Sequence, residues 1–291
     1  MMMTYPKITI VTAVYNQAAF IEKALRSVLD QGYPNLEYIV VDGGSTDGTL
    51  DIINRYKEKI TKIISGPDQG MYDALNKGFE QSTGEIMAWL NSDDMYHAGS
   101  LFSVAEIFSK FKEVEFLMGQ KTTYDESGRC FITGTLRSWS KYDFFIHGSH
   151  MGIQQESIFW RRSLWERSGK YISRDYKLAG DCELWTRFLT KGNAAFYMTN
   201  AMLGGFRVRD GQLSADGGKY MEEVKLIYNK VERSVTENHV LGRIAFHKKY
   251  LTKIPVLRVV FGWNKKLESL FNYPPFIKYN FRKKEFEKSK F

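Results

Sequence analysis

Apolar and polar positions alternate along residues 7–14, and a second apolar block runs through residues 36–41 to end at Asp42. Between them Phe20, Ile21, Ala24, Leu25, Val28 and Leu29 fall on one helical stripe. A period of two, then 3.6, then two predicts strand, helix, strand. The unit repeats: a helix from about Thr49, a strand over 60–65, a helix over 71–81 with Met71, Ala74, Leu75 and Phe79 inward, and a strand over 86–90. Strands alternating with amphipathic helices build an α/β fold, a mainly parallel sheet flanked by helices.

After Gly99 the pattern loosens. A helix is expected to about Lys110, then apolar runs at 116–120 and 130–133 flank the turn signal Asp125-Glu126-Ser127-Gly128. Asp181 opens another helix, with Leu184, Trp185, Phe188 and Leu189 on its inward stripe and Gly192 at its end. From about Gly217 the chain reads as mainly helical, with aromatic and basic residues interleaved. The expected division is a main domain over 1–215 and a helical basic and aromatic region over 216–291.

Each early strand ends in polar residues. In open parallel sheets ligands sit beyond the carboxyl ends of the strands, so Thr12, Asp42, Asp68 and the Asn91-Ser92-Asp93-Asp94 cluster are expected around one pocket. Adjacent carboxylates at a strand end suit a hard divalent cation, Mg²⁺ or Mn²⁺, that shares its remaining positions with phosphate oxygens. Taken alone, Asp93 or Asp94 could equally cap the next helix. The Asp42-Gly43-Gly44-Ser45-Thr46-Asp47-Gly48 turn could read a base or ribose, or be a turn and helix cap. It is not GxGxxG, which weakens a dinucleotide-enzyme reading.

Composition sharpens this picture at three points. With 43% hydrophobic and 25% charged residues, the chain is a folded globular protein rather than a disordered one. Cys130 and Cys182 have no metal-ligand spacing, so thiolate zinc is not expected. Residues 1–218 hold 24 Lys+Arg against 26 Asp+Glu, and residues 219–291 hold 17 against 7. The net charge of +8 therefore belongs to the tail, and a nucleic-acid partner is not expected for the main domain. No apolar run approaches the roughly 18 residues of a spanning helix; the longest, 254–263, is interrupted by Arg258. The apolar alternation starts directly after MMMTYPK, so no signal peptide is expected and the location expected is cytoplasmic.

Taken together and in order, several segments closely resemble the inverting family 2 glycosyltransferases. They are Ile10-Val11-Thr12-Ala13-Val14-Tyr15-Asn16, Val40-Val41-Asp42-Gly43-Gly44-Ser45, Gly66-Pro67-Asp68-Gln69-Gly70, Gly84-Glu85 and Asn91 to Asp94. The resemblance covers residues 7 to about 210 and implies the GT-A fold, in which a sugar moves from a nucleotide diphosphate donor to an acceptor hydroxyl. It implies nucleotide binding by Thr12, Ala13, Tyr15, Asp42, Asp68 and Asp93, and metal binding by Asp93 and Asp94. Asn91 stands where the family commonly has the first Asp, a departure similar to that of the O-antigen and surface-polysaccharide branch. Ala179-Gly180-Asp181-Cys182-Glu183 resembles the family's acidic motif near the acceptor, which makes Asp181 the expected general base, with Gly180 in place of the usual first acid. Arg207 and Arg209 are candidates for the diphosphate, and Gln155 and Glu156 for phosphate or acceptor.

His147 and His150 lie on a polar stretch with no metal role assigned. The aromatic and basic tail suits an anionic membrane surface, or a helical appendage that packs its aromatics on the core. A lipid-linked glycan at the inner face of the membrane is the acceptor this suggests. The rival readings are a non-catalytic nucleotide-sugar scaffold and a nucleotidyltransferase; the latter lacks a glycine-rich and basic triphosphate loop near the first strand.

Overall fold

The computed structural model describes residues 5–132, 138–148, 150, 152–212, 217–251 and 270–289. Three strand–helix units and a fourth strand come first: β1 (Ile8–Val14), α1 (Ile21–Leu29), β2 (Leu36–Asp42), α2 (Thr49–Asn54), β3 (Lys62–Ser65), α3 (Met71–Glu80) and β4 (Ile86–Trp89). The expected alternation therefore holds, with ends trimmed by one or two residues. The stripe on α1 buries Ile21, Ala24, Leu25 and Val28 against the sheet, and α3 buries Ala74, Leu75 and Phe79. Strands β1, β2 and β4 are buried along almost their whole length, as sheets covered on both faces require.

The chain continues through β5 (Met95–Tyr96), α4 (Ser100–Lys110), β6 (Phe116–Met118), β7 (Thr122–Tyr124), β8 (Cys130–Ile132), α5 (Lys141–His147), a short 3₁₀ turn (Gln155–Ser157) and β9 (Ile158–Arg161). After it come α6 (Arg162–Arg167), α7 (Gly180–Leu189), β10 (Phe196–Met198), β11 (Gly204–Arg207), α8 (Gly217–Lys230), α9 (Val235–Phe246), β12 (Phe276–Asn280) and β13 (Glu285–Ser289). The large sheet has the order β10-β6-β9-β4-β1-β2-β3, and β9 runs antiparallel to both its neighbours. After β1 the chain builds β2 and β3 to one side and then crosses to put β4 on the other. That reversal opens a crevice beyond Val14 and Trp89. A second sheet has the order β5-β11-β7-β8.

The core beneath is aromatic. Trp89 stacks on Trp185 at 5.3 Å between ring centroids, and Trp160 meets both edge-on. This fixes α7 against β4 and β9, which bears on where Asp181 points.

The C-terminal region corrects one expectation. It is helical through α8 and α9, but β12 and β13 form an antiparallel hairpin, joined to the sheet edge by a bridge from Ile277 to Thr199. Phe276, Ile277 and Phe286 are buried while Lys278 and Phe281 face outward. Val224 and Ile227 of α8 and Ile244 of α9 form a second core with Phe144, Phe145, Cys182 and Phe271. Much of the aromatic content described thus packs on the domain. Among the described residues no helix is long and apolar enough to cross a membrane. The run 254–263, Thr133, Trp263 and Phe291 lie outside the described residues, as does the expected boundary at 215/216.

Candidate active site

A cavity of about 800 Å³ opens at the crevice beyond β1 and β4. Its walls bring together Ala13, Tyr15, Asp68, Asp93, Asp94, Gln155, Glu156, Asp181 and Arg209. Ala13 and Arg209, 196 residues apart in sequence, meet because the strands deliver their ends to one edge.

Thr12 and Asp42 stand behind the wall rather than on it. Thr12 is fully buried and its hydroxyl bonds the Tyr38 hydroxyl at 3.0 Å. Asp42 is also fully buried; it accepts from the N–H groups of Gly44 and Ser45 and from the Ser65 hydroxyl at 2.8 Å. It therefore shapes the turn that follows β2. On the wall itself, Asp68 accepts from Gly70 N at 2.8 Å, and Tyr15 is 60% exposed, a ring offered to a planar ligand.

The Asn91 to Asp94 loop is held by side chains from distant elements. Asn91 Nδ2 donates to Asp94 Oδ2 at 3.0 Å and to Gln155 Oε1 at 3.1 Å, while Gln155 Nε2 donates to the Trp89 carbonyl at 2.9 Å. An aspartate at position 91 has no N–H to give, which accounts physically for the amide there. Asp94 is buried, accepts from Arg207 N at 2.7 Å and shares a hydrogen bond with Glu156. Burial holds both acids up, aided at Asp94 by the Glu156 and Asp93 charges and at Glu156 by Asp181 and Asp93: the Asp94 carboxyl lies well above the usual range and that of Glu156 is pushed up to about 7. The hydrogen bond between the two carboxyls requires a proton on one of them.

Asp93 faces the opposite way and meets Arg209, whose Nε and Nη2 both lie 2.8 Å from its Oδ2. Arg207 does not reach the cavity. It is fully buried, its guanidinium bonding the carbonyls of Asp93 and Glu126, and both arginines pack on the Phe20 ring. Of the two expected phosphate contacts, Arg209 alone lines the space.

Asp181 starts α7, whose first turn has no capping side chain of its own. Tertiary partners supply what the local sequence lacks. Glu223 on α8 accepts from Lys177 N, Leu178 N and Ala179 N at 2.9, 2.9 and 2.8 Å, and Tyr72 Oη accepts from Gly180 N at 3.0 Å. Gly180 is required by that contact, since a Cβ there would stand 2.6 Å from the Tyr72 ring. The Asp181 carboxylate accepts from Cys182 N at 2.7 Å and from the Tyr220 hydroxyl at 3.4 Å. Burial lifts its carboxyl to about 6, with the Glu223 charge adding to the lift. Tyr72, Tyr220 and Glu223 escape sequence reasoning, because no local pattern links α3 or α8 to residue 181.

The histidines fall away from the site. His150 is buried, stacked on Phe144 at 4.2 Å and bonded to the Thr186 hydroxyl, and His147 is exposed at the end of α5. Both cysteines are free thiols.

A mixed sheet with its crevice at a strand switch, lined by carboxylates at a strand end and a helix start, defines a GT-A transferase. The sequence profile of Glycosyl transferase family 2 matches residues 9–168, more than half of the chain, and the chain belongs to that family as a glycosyltransferase. It is 27% identical over 238 residues to a putative teichuronic acid biosynthesis glycosyltransferase, TuaG, of Bacillus subtilis, covering 78% of this chain and 89% of that one. Among solved structures, TarS residues 1–349 of S. aureus in complex with UDP-GlcNAc superposes with a TM-score of 0.62 at 17% identity, covering 91% and 79% of the two chains. In the longer TarS structure the chain spans 43% of the length. The mannosyltransferase PcManGT of Pyrobaculum calidifontis, in complex with GDP-Man and Mn²⁺, gives 0.60 at 17% identity, covering 92% and 86%. Likeness at this level of identity carries the fold.

Proposed function

We propose that the chain transfers a sugar, with inversion, from a nucleotide diphosphate donor to a hydroxyl of a surface glycan, with Asp181 as general base. The observation that carries this reading is Asp181 itself: a carboxylate held at a helix start in the same cavity as Asp93 and lifted to about 6. A base with that affinity for a proton is ionised at neutral pH and a better acceptor than an ordinary aspartate. Ala13, Tyr15 and Asp68 form the nucleotide end, with Thr12 and Asp42 setting the backbone beneath it. Donor use is supported by the UDP-GlcNAc and GDP-Man complexes of the structural neighbours. A glycan acceptor is supported by the TuaG likeness.

The acids present fit a divalent cation shared with the donor. Asp93 is a cavity-facing oxygen ligand, and among the described residues no group of three or more His, Cys, Asp and Glu is arranged to hold an ion alone. Mg²⁺ or Mn²⁺ bound by Asp93 would take further oxygens from the diphosphate and neutralise its charge as it leaves. Asp94, turned onto Glu156 and Arg207 N, anchors the loop that presents Asp93. Arg209 is placed to bond the diphosphate when it exchanges Asp93 for phosphate oxygen. Asp181 takes the proton of the acceptor hydroxyl as that oxygen attacks the anomeric carbon opposite the leaving diphosphate.

The functional unit includes α8, through Tyr220 and Glu223, so the region from 216 onward completes the site as well as extending it. The exposed Phe246 and Tyr250 beside Lys249 support peripheral contact with an anionic membrane surface, where a lipid-linked acceptor would lie. The test is calorimetry of the full chain with UDP, GDP, dTDP and CMP, each with and without Mn²⁺. Binding of one nucleotide strengthened by Mn²⁺ is expected; a folded chain that binds none refutes the reading.

A further inference from the structure

Beyond the residues assigned above, the cavity wall carries a cation with no ion-pair partner among the described residues. Lys121 lies in the link between β6 and β7, where the chain passes from the large sheet to the small one. Its backbone neighbours are pinned on both sides: Gln120 N donates to the Ala201 carbonyl at 2.8 Å, and Thr122 N donates to Gln154 Oε1 at 3.0 Å. The Thr122 hydroxyl is also fully buried and bonded to the Gly204 carbonyl. The lysine is therefore presented from a rigid support rather than from a free loop.

The side chain is half-buried and lines the cavity beside Ile153 and Gln154. A Cβ placed on Gly152 would stand 3.1 Å from its ammonium, so the absence of a side chain there leaves the ammonium its room. Among the described residues no carboxylate pairs with it. The other cations on the wall differ: Arg209 is spent on Asp93, and Lys177 is exposed. Burial pulls the Lys121 ammonium below its ordinary range. A partly desolvated charge without a counter-ion costs free energy that an anionic ligand group would return.

Sheet order says which substrate supplies that anion. The nucleotide end of the cavity is built from β1 and the segment after β3. Lys121 enters from the other side of the β1/β4 switch, next to the Gln154 to Glu156 segment that leads into β9. That is the half of the cavity left to the acceptor.

We infer that Lys121 is the centre of an oxyanion-recognition subsite in the acceptor half of the cavity, selecting an acceptor that carries a carboxylate or a phosphate close to the reacting hydroxyl. This rests on the proposed division of the cavity into donor and acceptor halves. The carboxylate source is an acidic sugar of the acceptor glycan; the phosphate source is the linkage of the glycan to its carrier.

The experiment is a ligand-observed NMR titration of the full chain with methyl β-glucuronoside, glucose 1-phosphate and neutral methyl β-glucoside, with and without a saturating nucleoside diphosphate. The wild type should bind at least one anionic probe about tenfold more tightly than the neutral one, the size of one charge-assisted hydrogen bond. Preference for the glucuronoside identifies an acidic sugar, and preference for the phosphate identifies a phosphorylated carrier. K121Q should erase the preference and K121R should retain most of it, which keeps the test decisive if either variant alone misfolds. Equal binding of all three probes by the wild type, or an unchanged preference in K121Q, overturns the inference. So does a K121Q loss that falls equally on the nucleoside diphosphate, since Lys121 would then serve the donor. If no nucleotide binds at all, the donor reading fails, while the titrations without nucleotide still judge Lys121.

Discussion

Asn91 and Asp94 are joined by a hydrogen bond from the Asn91 amide to Asp94 Oδ2 at 3.0 Å, and the same amide also reaches Gln155. The bond depends on a donor at position 91. Asn91→Asp removes it and adds a third carboxyl to Asp94 and Glu156, both already holding protons above their ordinary range. The variant should lose about 1–3 kcal/mol of stability at pH 8, the range for a buried polar group left unpaired. The loss should shrink toward pH 5 as the added carboxyl takes up a proton. Denaturant melts at the two pH values check this, and an equal loss at both would remove the charge argument.

Asp181→Asn keeps the shape of the side chain and removes the base. Turnover should fall by about 10²- to 10⁴-fold, the usual contribution of a positioned base, while nucleotide binding by calorimetry stays near wild type. Unchanged turnover would strike Asp181 from the mechanism.

The raised Asp181 carboxyl has consequences for both rate and stability. The ionised form is the active one, so wild-type kcat should rise with pH through an inflection near 6 and fall away below it. For stability the sign is the reverse. The folded state holds this proton more tightly than the unfolded chain, whose aspartate titrates near 3.9, so its stabilising contribution is full below about pH 4 and is lost as pH rises through 6. Asp181→Asn should therefore be more stable than wild type at pH 8, with a smaller difference at pH 4.

Glu223 acts on Asp181 by charge and by holding three backbone N–H groups, and two variants separate the effects. Glu223→Gln removes the charge and keeps one acceptor oxygen, so the acid limb of the kcat profile should move to lower pH. Glu223→Ala removes all three hydrogen bonds and should lower the melting temperature more than the glutamine does. An acid limb that stays in place in the glutamine variant would leave Glu223 a purely structural cap.

Asp93 and Arg209 neutralise each other across 2.8 Å. Asp93→Asn should abolish the strengthening of diphosphate binding by Mn²⁺ and leave metal-free binding close to wild type. Arg209→Ala should weaken diphosphate binding in both conditions. Calorimetry of the two variants, with and without Mn²⁺, distinguishes a cation ligand from a phosphate ligand.

The sequence by itself determined the strand and helix order through β4 and the strand ends where the chemistry gathers, because hydrophobic periodicity is local and reports which face of an element is buried; it missed β5, whose two residues are too few to show a period. It also singled out Asp68, Asp93, Asp181 and Arg209, all of which reach one cavity. The helical reading of the tail missed β12 and β13, two five-residue strands in which Phe276 and Ile277 are buried side by side and no clean alternation marks a strand. Tertiary structure alone decided which polar side chains remain available. Thr12, Asp42 and Arg207 are consumed by Tyr38, the Gly44 turn and the carbonyls around Asp93, while Lys121 is left without a partner among the described residues. It also decided that Glu223 caps α7 from 44 residues away and that Arg207 N reaches Asp94 from 113 residues away. Pairing, desolvation and proton affinity arise from groups brought together through space, and no local pattern in the chain records them.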